Sequence, residues 1–368
     1  MRILHFFKTY YPDGHGGIEE VIRQLVVGGR ALGLESEVLT LTEGLSGEIN
    51  FEGHRVHRVK RLFKLASTDF SFRALSRFKK LARRADLIHY HFPWPLADLA
   101  HFYAGHGKPT ILSYHSDIVA QKKLLHLYRP LMNKFLSRVN AIVAASPNYL
   151  QSSPVLQSQG ARVRCIPYGL TEIPPPDQAR QAFWRSRLGD RFFLFIGVFR
   201  YYKGLPYLLE AVREQPYPLV LIGEGGQEKE LKAQAGRANL TNVHFLGALS
   251  DEDKAALLSL CRGLILPSHL RSEAFGLSLV EGAMFGKPLI SCEIATGTTY
   301  INQDEVSGLV VPPADIPALR AALGRLWADD QLVAKLGAGA RQRYGDLFTA
   351  EKMVKSYVAL YSELLGQV

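Results

Sequence analysis

Short apolar runs alternate with segments of helical spacing from the start of the chain. "RILHFF" (2–7) is a strand-length run, "KTYYPDGHGG" is turn chemistry, and "IEEVIRQLVVGGRALG" repeats its apolar positions every three to four residues. "ESEVLTL" follows as a second strand, and the order recurs through "ADLIHYHF" (85–92), "PTILSYH" (109–115), "NAIVAAS" (140–146) and "VRCIPYG" (163–169). Strands alternating with helices predict a parallel sheet covered on both faces. A proline cluster, "TEIPPPDQ" (171–178), interrupts the pattern as a stiff linker would. The alternation then restarts with "FFLFIGVF", "YPLVLIG", "NVHFLGA", "GLILPS" and "KPLISCE". Two tandem Rossmann-like α/β domains are expected, 1–172 and 173–350, facing a central cleft. In such sheets ligands bind beyond the carboxyl ends of the strands. The last segment, 351–368, spaces Met353, Val354, Tyr357, Leu360, Tyr361 and Leu364 as a helix. It reads as a closing helix that crosses the domain boundary, with a return to the N-terminal domain as one option and the receiving domain left open.

Composition adds that the chain is folded. Of 368 residues 47% are apolar and 21% charged, close to the average of globular domains, and the length suits two domains. Cys165, Cys261 and Cys292 are too few and too scattered for a disulfide framework or a zinc knuckle, and read as reduced thiols. The N-terminal apolar run is shorter than a signal core, and no stretch reaches the roughly 18 apolar residues of a membrane span. A cytoplasmic protein is expected, with surface attachment to a membrane still open.

The formal net charge of +10 makes the placement of cations informative. "RALSRFKKLARR" (73–84) carries Arg73, Arg77, Lys79, Lys80, Arg83 and Arg84 on one side of a helix, with Leu75, Phe78, Leu81 and Ala82 opposite. A second basic run, "HRVHRVKRLFK" (54–64), precedes it. Such a helix either packs on its own domain with a solvated charged face or lies on an anionic membrane surface. Nucleic acid ranks last, because no nucleic-acid-binding motif accompanies the charge.

Candidate chemistry lies where strands end. "FIGVFRYYKG" places Arg200 and Lys203 beside a glycine turn that opens onto a helix, a setting that suits a diphosphate. "LVLIGEGGQ" offers Gly223, Gly225 and Gly226, either a close backbone approach to a ligand or a plain strand-to-helix turn. Asp251 and Asp253 in "SDEDK" fit a helix N-cap better than a metal site, and no metal or cofactor is expected. "RSEAFGLSLVEGAMFGKP" (271–288) sets Glu273 in a loop and Glu281 in the helix behind it, with the amides of Phe275, Gly276 and Leu277 at the helix's positive end. Eight residues of continuous helix would span ~12 Å, too far for a glycosidase-like acid–base pair. Two acids flanking an anion-binding helix start suit a nucleotide-sugar, with hydroxyls at both ends and phosphates between.

"SEAFGLSLVEGAMFGKPLI" resembles the signature of retaining GT-B glycosyltransferases of family 4, a glutamate, seven residues and a second glutamate. "HGGIEEVI", "SYHSDI", "RYYKG" and "SGLVVPPAD" resemble that family's other landmarks, in its order, over nearly the whole chain. "ATGTTYIN" and "HYHFPWP" resemble bacterial mannosyl- and rhamnosyltransferases of surface-polysaccharide (O-antigen) synthesis. The resemblance implies that Glu281 binds ribose hydroxyls, that Glu273 contacts the transferred sugar, and that the amides at Phe275, Gly276 and Leu277 serve sugar and diphosphate. Arg200 and Lys203 would neutralise the phosphates, Gly16 and Gly17 would let the first domain close over them, and His115 would hydrogen-bond the sugar, with Asp117 beside it. Where many members have Gly-Arg after the strand, this chain has Val198 and carries the arginine at 200. Acceptor contacts are expected from His89, His91, Trp94 and Asp117.

The implied activity is metal-independent, retaining transfer of mannose or rhamnose from GDP-mannose or GDP-rhamnose to a lipid-linked oligosaccharide, by a protein peripheral on the inner face of the cytoplasmic membrane. An epimerase of the same architecture would form no new glycosidic bond. A silent nucleotide-sugar-binding protein would release no GDP.

Overall fold

The computed structural model describes residues 1–65, 68–119 and 122–367. The chain divides into two compact units, Met1–Thr171 with Ala350–Val368, and Glu172–Thr349.

Unit 1 carries β1 (Arg2–Phe6), β2 (Glu35–Thr42), β3 (Gly47–Phe51), β4 (His54–Lys60), the small hairpin β5 (Phe63–Leu65) and β6 (Thr68–Phe70), β7 (Leu87–Phe92), β8 (Thr110–Tyr114), β9 (Ala141–Ala144) and β10 (Val163–Cys165). Its main sheet runs β10-β9-β8-β7-β1-β2-β4-β3, parallel except where β3 pairs with β4. All residues of β7 and β8 are buried, as a sheet covered on both faces requires.

The basic run at 54–64 is the edge-side strand β4, not a helix-like charged tract. His54, Val56, His57 and Val59 are buried while Arg55 and Lys60 are exposed. Its cations are paired: Arg55 with Glu37 at 3.2 Å, Arg58 with Asp13 at 2.7 Å and Arg61 with Asp69 at 2.9 Å. Interspersed arginine hides the alternation that marks a strand. The basic helix forms over Phe72–Ala82 and buries Ala74, Phe78, Leu81 and Ala82, with Phe78 stacked 4.8 Å from Phe6. Arg83 and Arg84 lie past its end, and Arg77 turns to Glu48 and His57.

Unit 2 carries β11 (Phe193–Ile196), β12 (Leu219–Ile222), β13 (Val243–Gly247), β14 (Gly263–Leu266), β15 (Leu289–Cys292) and β16 (Gly308–Val311), parallel throughout in the order β13-β12-β11-β14-β15-β16. From β11 the chain builds outward through β12 and β13, then returns to β14 on the other side. The gap beyond β11 and β14 is therefore a topological switch point, where doubly wound sheets bind ligands.

The final helix, Ala350–Leu364, belongs to unit 1. Its first amide donates to Leu170 O at 3.0 Å, and Met353, Val354, Tyr357, Leu360 and Tyr361 are buried.

Candidate active site

The turn after β11 is tied to the end of β14. Gly204 has φ +72°, and a Cβ there would lie 1.9 Å from Pro267 O, so only glycine fits. That contact brings Lys203, which closes the short helical turn Tyr201–Lys203, onto the loop after β14. Lys203 Nζ donates to Glu273 Oε2 at 2.5 Å, and Ser268 Oγ donates to the same oxygen at 3.0 Å. Ser268 is fully buried and Glu273 only 8% exposed, so the pair is held away from bulk water. Arg200 is exposed and Lys203 points inward. The two cations of the motif therefore differ in environment, and Lys203 meets Glu273 directly.

Glu281 has its own ammonium. Lys254 Nζ lies 3.2 Å from Glu281 and 2.9 Å from Asp251, and the Glu281 charge, followed by Asp251, holds the Lys254 pKa above its ordinary range against the opposing effect of burial. Lys254 went unrecognised in the sequence, where "SDEDK" reads only as a helix start. The cap itself forms: Asp253 N donates to Ser250 Oγ at 3.2 Å. Asp253 accepts from Trp184 Nε1 at 2.8 Å and Arg180 at 3.1 Å, so the two aspartates serve different partners. Two carboxylate–ammonium pairs thus flank the start of the helix Leu277–Met284, whose leading Gly276 has φ +97°. Phe275 is 4% exposed and packs 6.2 Å from Phe348, so it offers backbone rather than ring. The "ATGTTYIN" segment supports that backbone: Gly297 N donates to Ala274 O at 2.8 Å.

Gly223 has a structural reason of its own. It has φ +130°, and a Cβ would lie 2.1 Å from Gly197 O; a Cβ at Gly225 would lie 2.6 Å from Phe199 O. Gly223 permits a close approach between the turns after β11 and β12. Gly223→Ala is expected to destabilise unit 2 by about 3 kcal/mol or more, from backbone strain plus displacement of the β11 turn. Chemical denaturation followed by Trp184 and Trp327 checks this, and an unchanged midpoint would refute it.

In unit 1, Gly16 and Gly17 stand at the start of the helix Gly17–Arg30, with the Glu19 carboxylate 2.6 Å from where a Gly16 Cβ would be. His115 follows β8 and is 6% exposed. Its Nδ1 is 2.6 Å from Tyr168 OH and its Nε2 is 3.0 Å from His91 Nδ1, so the ring already has both partners it can hold. A sugar hydroxyl would have to displace one of them. Asp117 anchors the same turn, accepting from Tyr114 OH at 2.8 Å and Ser153 Oγ at 2.7 Å.

His89, His91 and Trp94 do not present themselves to an acceptor. His89 and His91 are fully buried, and His89 binds Tyr361 OH at 2.7 Å and Ser113 Oγ at 2.8 Å. Trp94 is 1% exposed, packs 4.6 Å from Phe6 and donates to Asp69 O at 3.0 Å. Alternation places the two histidines on one strand face, and that face is roofed by the C-terminal helix. Among the described residues His5, His89 and His91 bring ring nitrogens within 4.8 Å of one another, the one grouping with metal-ligand spacing. Those nitrogens bond each other, Ser113 and Tyr361.

Comparison with known proteins accounts for both units. Residues 15–173 match the model of Glycosyltransferase Family 4, and residues 177–343 that of Glycosyl transferases group 1. The chain is 49% identical to O-antigen chain mannosyltransferase C of Escherichia coli, over 99% of each chain. It is 51% identical to D-rhamnosyltransferase WbpZ of Pseudomonas aeruginosa, over 95% of this chain and 93% of that one. In fold it matches sucrose-phosphate synthase from Thermosynechococcus elongatus with a TM-score of 0.83 at 22% identity, over the whole of both chains. Anabaena HepE in complex with UDP and glucose matches with a TM-score of 0.81 at 18% identity, over 99% of this chain and 100% of that one. With two Rossmann-like domains, full-length identity near one half to two glycosyltransferases, and family models that together span both units, the chain belongs to the family 4, group 1 glycosyltransferases of GT-B fold.

Proposed function

We propose that this glycosyltransferase moves a mannosyl or D-rhamnosyl residue from its GDP-sugar to a lipid-linked oligosaccharide during O-antigen synthesis, with retention at the anomeric carbon and without a metal. The observation that carries the reading is the Lys203–Glu273–Ser268 cluster at the β11/β14 switch point, beside a helix N-terminus and a second carboxylate on Lys254. Lys203 and the amides at the helix start suit a diphosphate, whose charge grows as the sugar leaves. An ammonium has three N–H groups, so Lys203 can keep Glu273 and still reach a phosphate oxygen. Glu273, oriented by Ser268, is assigned to sugar hydroxyls, Glu281 to ribose hydroxyls, and exposed Arg200 to the outer phosphate oxygens. For unit 1 the assignment gives His115 to the transferred sugar and Gly16 and Gly17 to the diphosphate. The bond from the anomeric carbon to the diphosphate breaks, the acceptor oxygen bonds that carbon on the same face, and the acceptor proton passes to the departing phosphate. The names of two full-length relatives, each about half identical to this chain, support mannose and D-rhamnose.

An anionic membrane surface, the cytoplasmic face of the cytoplasmic membrane, is the proposed workplace. Arg73 and Lys80 are exposed on the helix that begins at Phe72, and Phe72, Leu62 and Phe63 are 66%, 56% and 45% exposed, a mixture of cations and apolar side chains that suits interfacial binding. No helix among the described residues is long and apolar enough to cross a membrane.

The test is GDP release from GDP-mannose and GDP-rhamnose, with the oligosaccharide lipid in anionic vesicles or in detergent. Acceptor-dependent release with one donor, suppressed in vesicles by high salt, is expected. Release of no nucleotide, or an altered sugar without a new bond, would discard the reading. In the same assay Glu281→Ala is expected to raise donor KM about 10- to 100-fold, the size of a hydrogen bond to a charged group, with kcat little changed.

A further inference from the structure

We propose that His91 is a positioning residue for His115, holding its tautomer and ring plane through the hydrogen bond between His91 Nδ1 and His115 Nε2, one link of a chain that runs from His5 in the centre of the unit 1 sheet. The proposal rests on the assignment of His115 to the transferred sugar. The chain is continuous: His5 Nδ1 to His91 Nε2 at 3.2 Å, His91 Nδ1 to His115 Nε2 at 3.0 Å, and His115 Nδ1 to Tyr168 OH at 2.6 Å. Strand register builds it. His5 pairs with His89 across β1 and β7, His91 pairs with Ser113 across β7 and β8, and His115 follows on the same face two residues later. The rings of His91 and His115 are nearly parallel, 15° apart with centroids at 5.2 Å, and those of His5 and His91 are 19° apart. None of the three rings is more than 6% exposed. His89 stands beside them, held by Ser113 Oγ and by Tyr361 of the C-terminal helix, while Tyr357 binds the same Ser113 at 2.7 Å.

Burial depresses all three pKa values, and the rings are neutral at ordinary pH. A neutral imidazole has one N–H and one lone pair, so each link needs a donor on one side and an acceptor on the other. The chain consequently has two settings: all three rings carry the proton on Nε2, or all three carry it on Nδ1. The tautomer of His115 is thereby tied to that of His91, and whichever nitrogen meets a sugar hydroxyl does so with a polarity that its bond to His91 sets.

The chemistry supplies a discriminating pair of variants. Asparagine places its amide where histidine has Nδ1, and glutamine places it where histidine has Nε2. His91→Asn keeps the link to His115 and loses His5, whereas His91→Gln does the reverse. Turnover of His91→Asn is expected within about threefold of the parent. His91→Gln and His91→Phe are expected to lose about tenfold to a hundredfold in kcat, the cost of a catalytic group about 1 Å out of place, with donor KM within about twofold. Equal losses in the asparagine and glutamine variants, tracking their melting temperatures, would mean that His91 is only a packing residue and would overturn the proposal. Full turnover by His91→Phe would do the same. If His115→Ala keeps full turnover, the assignment of His115 to the sugar falls first; if it loses turnover while His91→Phe does not, only the positioning role falls. Nitrogen-15 NMR of the ring nitrogens in the unmutated protein needs no variant to fold: His91 and His115 in the same tautomer is the expected result, and opposite tautomers would rule the chain out.

Discussion

Lys203→Met is expected to lower kcat by about 10²- to 10³-fold at saturating donor, the typical loss when one stabiliser of developing negative charge is removed. The substitution has a second consequence. Lys203 and Glu273 side chains are 12% and 11% exposed, so removing the ammonium leaves a buried carboxylate whose remaining partner is Ser268. Breaking such a pair from one side costs about 3 to 5 kcal/mol of stability, because the surviving charge stays desolvated. The two effects separate in a double variant. Adding Glu273→Gln removes the stranded charge and keeps an acceptor for Ser268, so stability returns toward the parent while turnover stays low. Rapid-quench or GDP-release kinetics together with thermal unfolding read both quantities. Full turnover by Lys203→Met would remove Lys203 from the chemistry, and a double variant as unstable as the single one would show that the pair does not set the stability.

Acid is expected to strike unit 1 before unit 2. His5 and His115 are pushed down to about 3 and His54, His101 and His106 to about 4, in each case chiefly by burial; His89 and His91 are held well below the ordinary value for the same reason. All seven lie in unit 1. The sign follows from where the protons go. Above about pH 6.5 these histidines are neutral both folded and unfolded; below it the unfolded chain takes up protons that the folded one refuses, so stability falls as pH falls. One unit below that value each fully buried histidine costs about 1.4 kcal/mol, and the four in the core, His5, His89, His91 and His115, about 6 kcal/mol together. That is comparable with the whole stability of an ordinary domain. Asp98 works in the opposite direction, since burial raises its carboxyl well above the usual range, but it is a single group. In unit 2, His244 and His269 are lowered in the same direction and are less buried.

The three tryptophans make this measurable. Trp94 is in unit 1, and Trp184 and Trp327 are in unit 2. Urea unfolding at about pH 7.5 and about pH 5.5, with Trp184→Phe/Trp327→Phe to isolate Trp94 and Trp94→Phe for the other unit, reports each side. The Trp94 midpoint is expected to drop more than the other. Equal shifts would show that the histidine-rich face of unit 1 accommodates protons while folded.

Local pattern carried most of the architecture. Every long apolar run between turn signals became a strand, because a strand buried on both faces needs apolar residues at consecutive positions and little else. The misses are β3, β4 and the hairpin β5–β6, whose polar positions carry Arg, Lys, Glu and Asp and dilute the apolar signal toward that of a solvated segment, and β16, an apolar run of only four residues that leads straight into Pro312 and Pro313. The reach of each site residue was less legible. Trp94 and His89 look like acceptor contacts in the sequence, and burial removes them from that role. Lys254 looks like the tail of a helix cap and proves to be the partner of Glu281.

Two doubly wound α/β domains, the helix behind Glu273 and the family to which the chain belongs were legible in pattern and motif alone. Only the tertiary structure decided that Lys203 meets Glu273 across 70 residues, that Glu281 has its own ammonium, that three histidines on neighbouring strands bond end to end, and that the final helix returns to unit 1. The physical reason is range. Helix and strand periodicity is set by neighbours a few residues apart, whereas a hydrogen-bond partner is set by strand order and register, which no local spacing records.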